Sequence, residues 1–412
     1  MEKPKGVFSL IVIVAALGYF VDLYDLVLFG VVRDASLKSL GLSGQVLREA
    51  SISLFNFQMA GFLIGGIVWG IFGDIKGRLS VLFGTIILYS AANIANGFVN
   101  DLTSYSILRF IAGIGLAGEL GVGITLVSES LPIKKRTLGT MLVVAFGALG
   151  AVLAAQVGNM GWRTAYFVGG GLGFVLLFLR IGTHESAIYK NISNSNVSKG
   201  SFHQLFTSKE RFLKYLGCIC IGLPVWFALG VLTFNANDFA AVIGVKGTVV
   251  IGKCIMFSYL GLTTGDICCG LLSYVLKSRR KAILIFLSTS IISFTWYMLV
   301  RDISLGYFYF LMFMLGTLTG YWAIFVTIAA EQFGTNLRAT VTTTVPNFVR
   351  GATVPITLSY VALQKNLGVL YSASIVGAVC LGLALISIIS IKETFFKDLD
   401  YIEELNKSTK SK

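Results

Sequence analysis

Charged residues that can do chemistry stand in unusual places in this chain. Residues 109–136 read RFIAGIGLAGELGVGITLVSESLPIKKR, an apolar run that holds Arg109, Glu119 and small residues near helical spacing. It then breaks into Glu129 and the basic cluster Lys134, Lys135 and Arg136. Asp22 and Asp25 sit in the first apolar run, three apart and so on nearly one face of a helix. Arg350 stands alone in another run. Each such charge costs roughly 2.5–3.5 kcal/mol at mid-bilayer on the insertion scale. Acids that share a dry site with a guanidinium suit proton transfer, because a carboxyl holds its proton weakly beside a cation and tightly when desolvated alone.

The elements that position these residues follow from composition. Of 412 residues 55% are hydrophobic and 13% charged, and mean hydropathy is +0.81, which lies outside the soluble class. The net charge of +13 invites a nucleic-acid partner, but the basic residues occupy short loops between apolar runs and form no basic domain. All six cysteines fall in apolar runs without metal-ligand spacing, and His184 and His203 both fall in the central polar loop. The first apolar run is read as a retained helix rather than a signal peptide.

A spanning helix needs about 20 apolar residues. This predicts twelve spans, at 7–32, 52–73, 79–98, 103–127, 137–157, 162–182, 213–234, 248–275, 281–300, 305–328, 340–362 and 368–391. Outward loops then hold only Arg33, Lys38, Arg48, Arg163, Lys246, Arg301 and Lys365 of the 33 basic residues, which places both termini in the cytoplasm. The expected fold is an all-α membrane protein with a six-helix bundle over 1–182, a cytoplasmic linker over 183–212, a second bundle over 213–392 and a tail over 393–412. Three sequons, at Asn191, Asn196 and Asn406, lie on the inner side and are taken as coincidence.

The halves overlay at an offset near 200. The segment from Gly70 to Arg78 matches Gly270 to Arg280, and Glu129 to Arg136 matches Glu331 to Arg338. His184-Glu185-Ser186 after span six mirrors Lys392-Glu393-Thr394 after span twelve. Two related halves with a site between them is a transporter architecture.

These residues also carry a family likeness. GIFGDIKGR, from Gly70 to Arg78, resembles the signature of the major facilitator superfamily between spans two and three, departing from it at Ile75 and Leu79. In the second half Tyr274 takes the acidic position. Asp22, Tyr24 and Asp25 in GYFVDLYD, and Glu119 in GELG, resemble the superfamily's metabolite:proton symporters, as does the segment from Glu331 to Arg338. RGATVP, from Arg350 to Pro355, is closer to aromatic-acid and sugar-type relatives. The resemblance implies the twelve-helix fold, with spans one and four both lining the cavity.

Depth arithmetic then assigns roles. Asp22 lies about 22 Å and Asp25 about 27 Å up span one, and Arg109 about 20 Å above the inner surface, level with Asp22. Arg109 is expected to pair alternately with Asp22 or Asp25; the alternative for Asp25 is a place at the outer water interface. Glu119 is a second proton site, a ligand for a substrate ammonium, or a partner for the basic loop below it. Arg350 either receives a substrate carboxylate or pairs with Asp266. Asn347, Asn235, Gln156, Tyr24, Tyr321 and Trp322 are cavity candidates, with ordinary interhelical packing as the alternative. Asp74, Lys76, Arg78, Glu129, Arg136, Glu331 and Arg338 are expected to form a cytoplasmic gate of individually weak ion pairs on a wet surface.

The resulting expectation is a proton-coupled symporter that imports a small polar organic solute by alternating access, a monomer in the bacterial inner membrane. The proton is its coupling ion, and no cofactor, metal, nucleic acid or catalytic constellation is expected. An exporter of drugs or siderophores and a non-transporting solute sensor are the alternatives.

Overall fold

Within a bilayer the backbone must satisfy its own hydrogen bonds, and this sequence does so with helices. The computed structural model describes residues 8–181, Ser186, Tyr189 and 199–403. The helices are α1 (Leu10–Ser39), α2 (Gly44–Ile75), α3 (Arg78–Asn96), α4 (Leu102–Leu116), α5 (Glu119–Ser130), α6 (Ile133–Val157) and α7 (Trp162–Leu179) in the first half. The second half holds α8 (Lys209–Phe227), α9 (Ala236–Ile243), α10 (Ile251–Leu276), α11 (Arg279–Leu299), α12 (Leu305–Leu318), α13 (Trp322–Gln332) and α14 (Arg338–Ser390). Among the described residues eleven helical stretches are long and apolar enough to span. The last, α14, is broken at Gly368, where φ is 75°, and its two parts bring the spans to the expected twelve.

Two spans are interrupted at matching places. Span four breaks between α4 and α5 at Ala117 and Gly118, and span ten between α12 and α13 at Thr319 to Tyr321. Each break opens the N-terminus of a half-helix inside the bundle. Span seven carries a further irregularity, a π-helical turn over Ala228–Thr233 just after Pro224. Such turns occur frequently at functional sites.

The expected ends were too short on one side of the bundle. α1 continues through Arg33 and Asp34 to Ser39, and α2 starts at Gly44 rather than 52. A charge ends an apolar run but not a helix, and Arg33 and Asp34 pair at 3.6 Å on the wet extension.

The halves meet where α2 packs along the first part of α14, and α6 along α10. That approach requires small residues. A Cβ on Gly121 would overlap the backbone of Thr342 and Thr343, and one on Gly70 would stand 2.9 Å from Thr340 Cα. Of the linker, Ser186 donates to Glu129 (2.6 Å), Tyr189 to Ile75 O (2.9 Å), and Phe202–Phe206 form a 3₁₀ turn. His184 and the three sequons lie outside the described residues.

Candidate transport site and gate

Each buried acid of the first half is matched to a specific arginine. Asp22 on α1 faces the other half, where Arg350 Nη2 on α14 lies 3.2 Å from its Oδ2. The guanidinium stacks 4.7 Å above the Phe62 ring, and its Nη1 donates to Asn347 Oδ1 at 3.3 Å. Asn347 in turn donates to Ala117 O (2.7 Å), at the span-four break, and to Thr343 O (2.8 Å). Both charged side chains are buried, and Asp22 Oδ1 has no hydrogen-bond partner among the described residues. This corrects one expectation: Arg350 does not pair with Asp266, whose Oδ1 instead accepts the Ala323 N–H (2.8 Å) at the N-terminus of α13.

Arg109 pairs with Asp25 at 3.4 Å, not with Asp22. α1 begins at Leu10 rather than 7, which lowers both acids by about 4.5 Å and leaves them on either side of the depth of Arg109, so depth alone does not choose between them. This pair lies within the first half, its guanidinium 5.2 Å from the Phe29 ring and 5.6 Å from that of Tyr166. Tyr166 and Tyr105 hydroxyls bond at 2.7 Å, and Tyr105 bonds Ser36 at 3.2 Å. Asp25 Oδ2 and Arg109 Nη2 find no partner among the described residues.

Glu119 is not free. Arg180 Nη2 donates to it at 2.6 Å and Thr85 at 2.5 Å, while Arg180 Nη1 also reaches Leu82 O. Arg180 was not among the expected site residues. The available signal was an arginine in the last turn of an apolar run opposite an acid that lacked a partner.

The other cavity candidates divide. Gln156 is exposed, and the corresponding expectation fails because its face of α6 turns away from the bundle. Tyr24 spends its hydroxyl on Ala165 O (2.8 Å) and Tyr321 on Ile221 O (2.8 Å). Trp322 is buried against Phe325, with ring centroids 4.9 Å apart. Asn235 donates to Val231 O (2.9 Å) in the π turn and lines a cavity of about 90 Å³ between the halves, beside Ser51 and Asn56. There Phe55 and Phe234 approach across the seam to 5.9 Å.

At the opposite end, where the basic loops lie, the two halves exchange charges with near two-fold symmetry. Glu129 accepts from Arg78 (2.9 Å) of its own half and Arg338 (2.9 Å) of the other. Glu331 pairs with Arg279 (3.0 Å) of its own half and Arg136 (3.8 Å) of the other. Arg279 was not among the expected gate residues, although the repeat aligns it with Arg78. Asp74 accepts the N–H groups of Ala339 (3.0 Å) and Thr340 (2.8 Å), capping α14 from the other half. Tyr274, its counterpart, is exposed, and Arg279 donates instead to Thr137 Oγ1 at 2.7 Å. Two expectations need correction here. The pairs are buried rather than wet, because the halves close over them, and Lys76 is exposed outside the network.

Twelve spans in two related halves, joined through a charged gate, set the frame for comparison. The family model of the Major Facilitator Superfamily matches residues 15–354. The chain belongs to the Major Facilitator Superfamily. A Haemophilus influenzae protein, provisionally named for metabolite transport, is 29% identical over 85% of this chain and 88% of its own length. The sialic acid transporter NanX of Escherichia coli K12 is 27% identical over 70% of this chain and 69% of its own. The solved structure of the proton:xylose symporter XylE shares the fold, with a TM-score of 0.73 at 16% identity over 96% of this chain and 98% of that one. This superfamily member is an integral membrane transporter of small metabolites, not an enzyme.

Proposed function

We propose that the chain is a proton-coupled symporter that imports a small organic solute bearing a carboxylate, by alternating access. The observation that carries this reading is the Asp22–Arg350 ion pair across the seam between the halves. A proton on Asp22 removes the charge that holds Arg350. The guanidinium is then available to a substrate carboxylate, which it binds through two parallel N–H···O bonds. Asn347 keeps the guanidinium in place while its partner changes. Asp25 and Arg109 form a second buried ion pair, three residues further along α1. NanX, named for an acid, is the kind of relative this site chemistry fits.

The proton is the coupling ion and no cofactor takes part. The basic end faces the cytoplasm of a bacterial inner membrane, with both termini on that side, and the working unit is a monomer. One charge crossing 100 mV supplies about 2.3 kcal/mol, enough for roughly a fiftyfold gradient at 1.4 kcal/mol per decade. The test is a thermal-shift screen of small carboxylic acids, then uptake of the best stabiliser into proteoliposomes with an imposed pH gradient. Accumulation that collapses with a protonophore is expected; accumulation indifferent to the gradient rules out proton coupling.

A further inference from the structure

On the flank of the second half, away from the seam, α8 and the end of α14 enclose a cavity of about 670 Å³. Its walls are apolar and open toward the bilayer: Leu213 is 52% and Ile386 66% exposed. Its rim lies at the basic end and carries Lys214, Lys392 and Lys397.

The lining carries more positive than negative charge, three lysines against Glu210 and Glu393. Lys214 Nζ (3.1 Å) and Lys397 Nζ (3.4 Å) both donate to one carbonyl oxygen, that of Gln332, so two ammonium groups converge on a neutral acceptor. Glu403, which pairs with Lys214 (3.1 Å), also pairs with Arg211 (3.8 Å). Lys392 is exposed and its side chain makes no ion pair or hydrogen bond among the described residues. Two acids also line the cavity. Glu393 is occupied in accepting from Ser278 and from the N–H groups of Arg279 and Thr394, and Glu210 is exposed in the first turn of α8.

We propose that this cavity is a binding site for an anionic phospholipid of the leaflet at the basic end, with its phosphate among Lys214, Lys392 and Lys397 and its acyl chains along Leu213 and Ile386. Cations above an apolar wall at a helix end are what such a lipid requires. Free phosphate would satisfy the lysines and leave the apolar wall bare, so the lipid is the occupant that fits both parts. The assignment does not depend on proton coupling or on the transported solute.

Native mass spectrometry of the full chain, in micelles doped with equal amounts of phosphatidylglycerol and phosphatidylcholine, tests it. Retained phosphatidylglycerol adducts should exceed phosphatidylcholine adducts. Lys392→Gln, which breaks no ion pair or hydrogen bond among the described residues, should cut that ratio by about fivefold, from roughly 1 kcal/mol per lysine near the surface. Lys281→Gln, an exposed lysine at the same end but outside the cavity, should leave it unchanged. Equal adducts of the two lipids, equal losses in both variants, or displacement of the lipid by millimolar inorganic phosphate would each overturn the assignment.

Discussion

Asp22 Oδ2 and Arg350 Nη2 stand 3.2 Å apart across the seam, each the other's only counter-charge within salt-bridge distance among the described residues. A buried pair of this kind is costly to break from one side, because the surviving charge is left without compensation, at about 3–5 kcal/mol. Asp22→Ala and Arg350→Gln should therefore each lower thermal stability strongly. The double variant should lose less than the sum of the two, by more than about 1 kcal/mol. Additive losses in melting experiments on the four proteins would show that the pair is not coupled in this way.

The second pair makes a different prediction. Among the described residues Asp25 is the one carboxylate paired with Arg109, whose guanidinium also lies near the Phe29 and Tyr166 rings. Asp25→Asn removes the carboxylate charge and keeps the shape. Uptake driven by a pH gradient should be abolished, while exchange of labelled for unlabelled solute continues within about threefold of the parent rate. Because a threefold change in rate is only about 0.7 kcal/mol in barrier, that margin still separates lost coupling from lost binding. Unchanged concentrative uptake would remove Asp25 from the coupling scheme.

The sequence made the twelve spans and the repeat legible because both are written in hydropathy and in spacing. It allowed Arg109 either Asp22 or Asp25 as partner and could not choose between them, because a start error of three residues in α1 moves a side chain by about 4.5 Å, the rise between the two acids. The Asp22–Arg350 pair was illegible for another reason. Depth is readable along one helix, whereas neighbourhood across two halves depends on how α2 and α14 close on each other at Gly70 and Gly121. Arg180 was missed because an arginine at the end of an apolar run looks like a loop cation until its direction is known. Gln156 was misplaced because α6 is apolar nearly all round, so no periodic pattern marks its inward face.

The gate should open unequally when its two corners are cut. Asp74 holds two backbone N–H groups of the opposite half, whereas Tyr274 holds none among the described residues. Asp74→Asn should thus expose the seam more than Glu331→Gln. The readout is alkylation of Thr342→Cys from the basic end, in a background where the exposed Cys268 is serine. A rise of several-fold is expected for Asp74→Asn and a smaller one for Glu331→Gln. The reverse order would mean that the ion pairs, and not the capping of α14, keep this end shut.

The described tail supplies a pH dependence outside the membrane. Residues 393–403 run beneath α13 and the start of α14: Thr335 donates its N–H to Tyr401 O (2.8 Å), Arg338 reaches Leu399 O (2.6 Å) and Arg136 reaches Lys397 O (3.4 Å). Gly334 lies so close that a Cβ there would overlap Glu403 N. Within this strap Lys397 donates to Tyr401 Oη at 2.8 Å. Burial lowers its pKa from 10.5 to about 8, with Lys214 and Arg338 acting in the same direction against Glu403 and Glu331. Undocked, the ammonium regains its ordinary value. Below pH 8 both forms are charged and docking carries the whole penalty of burying that charge. Between pH 8 and 10.5 the docked form loses its proton first, so docking strengthens as pH rises, and the gain levels off above that window. In uncharged phosphatidylcholine, hydrogen-exchange protection of 393–403, corrected for intrinsic rates, should increase from pH 7 to 9.5. Lys397→Met should be protected at all these values, because it buries no charge. Protection that stays flat or falls with pH in the parent protein would mean that the Lys397 charge does not oppose docking of the tail.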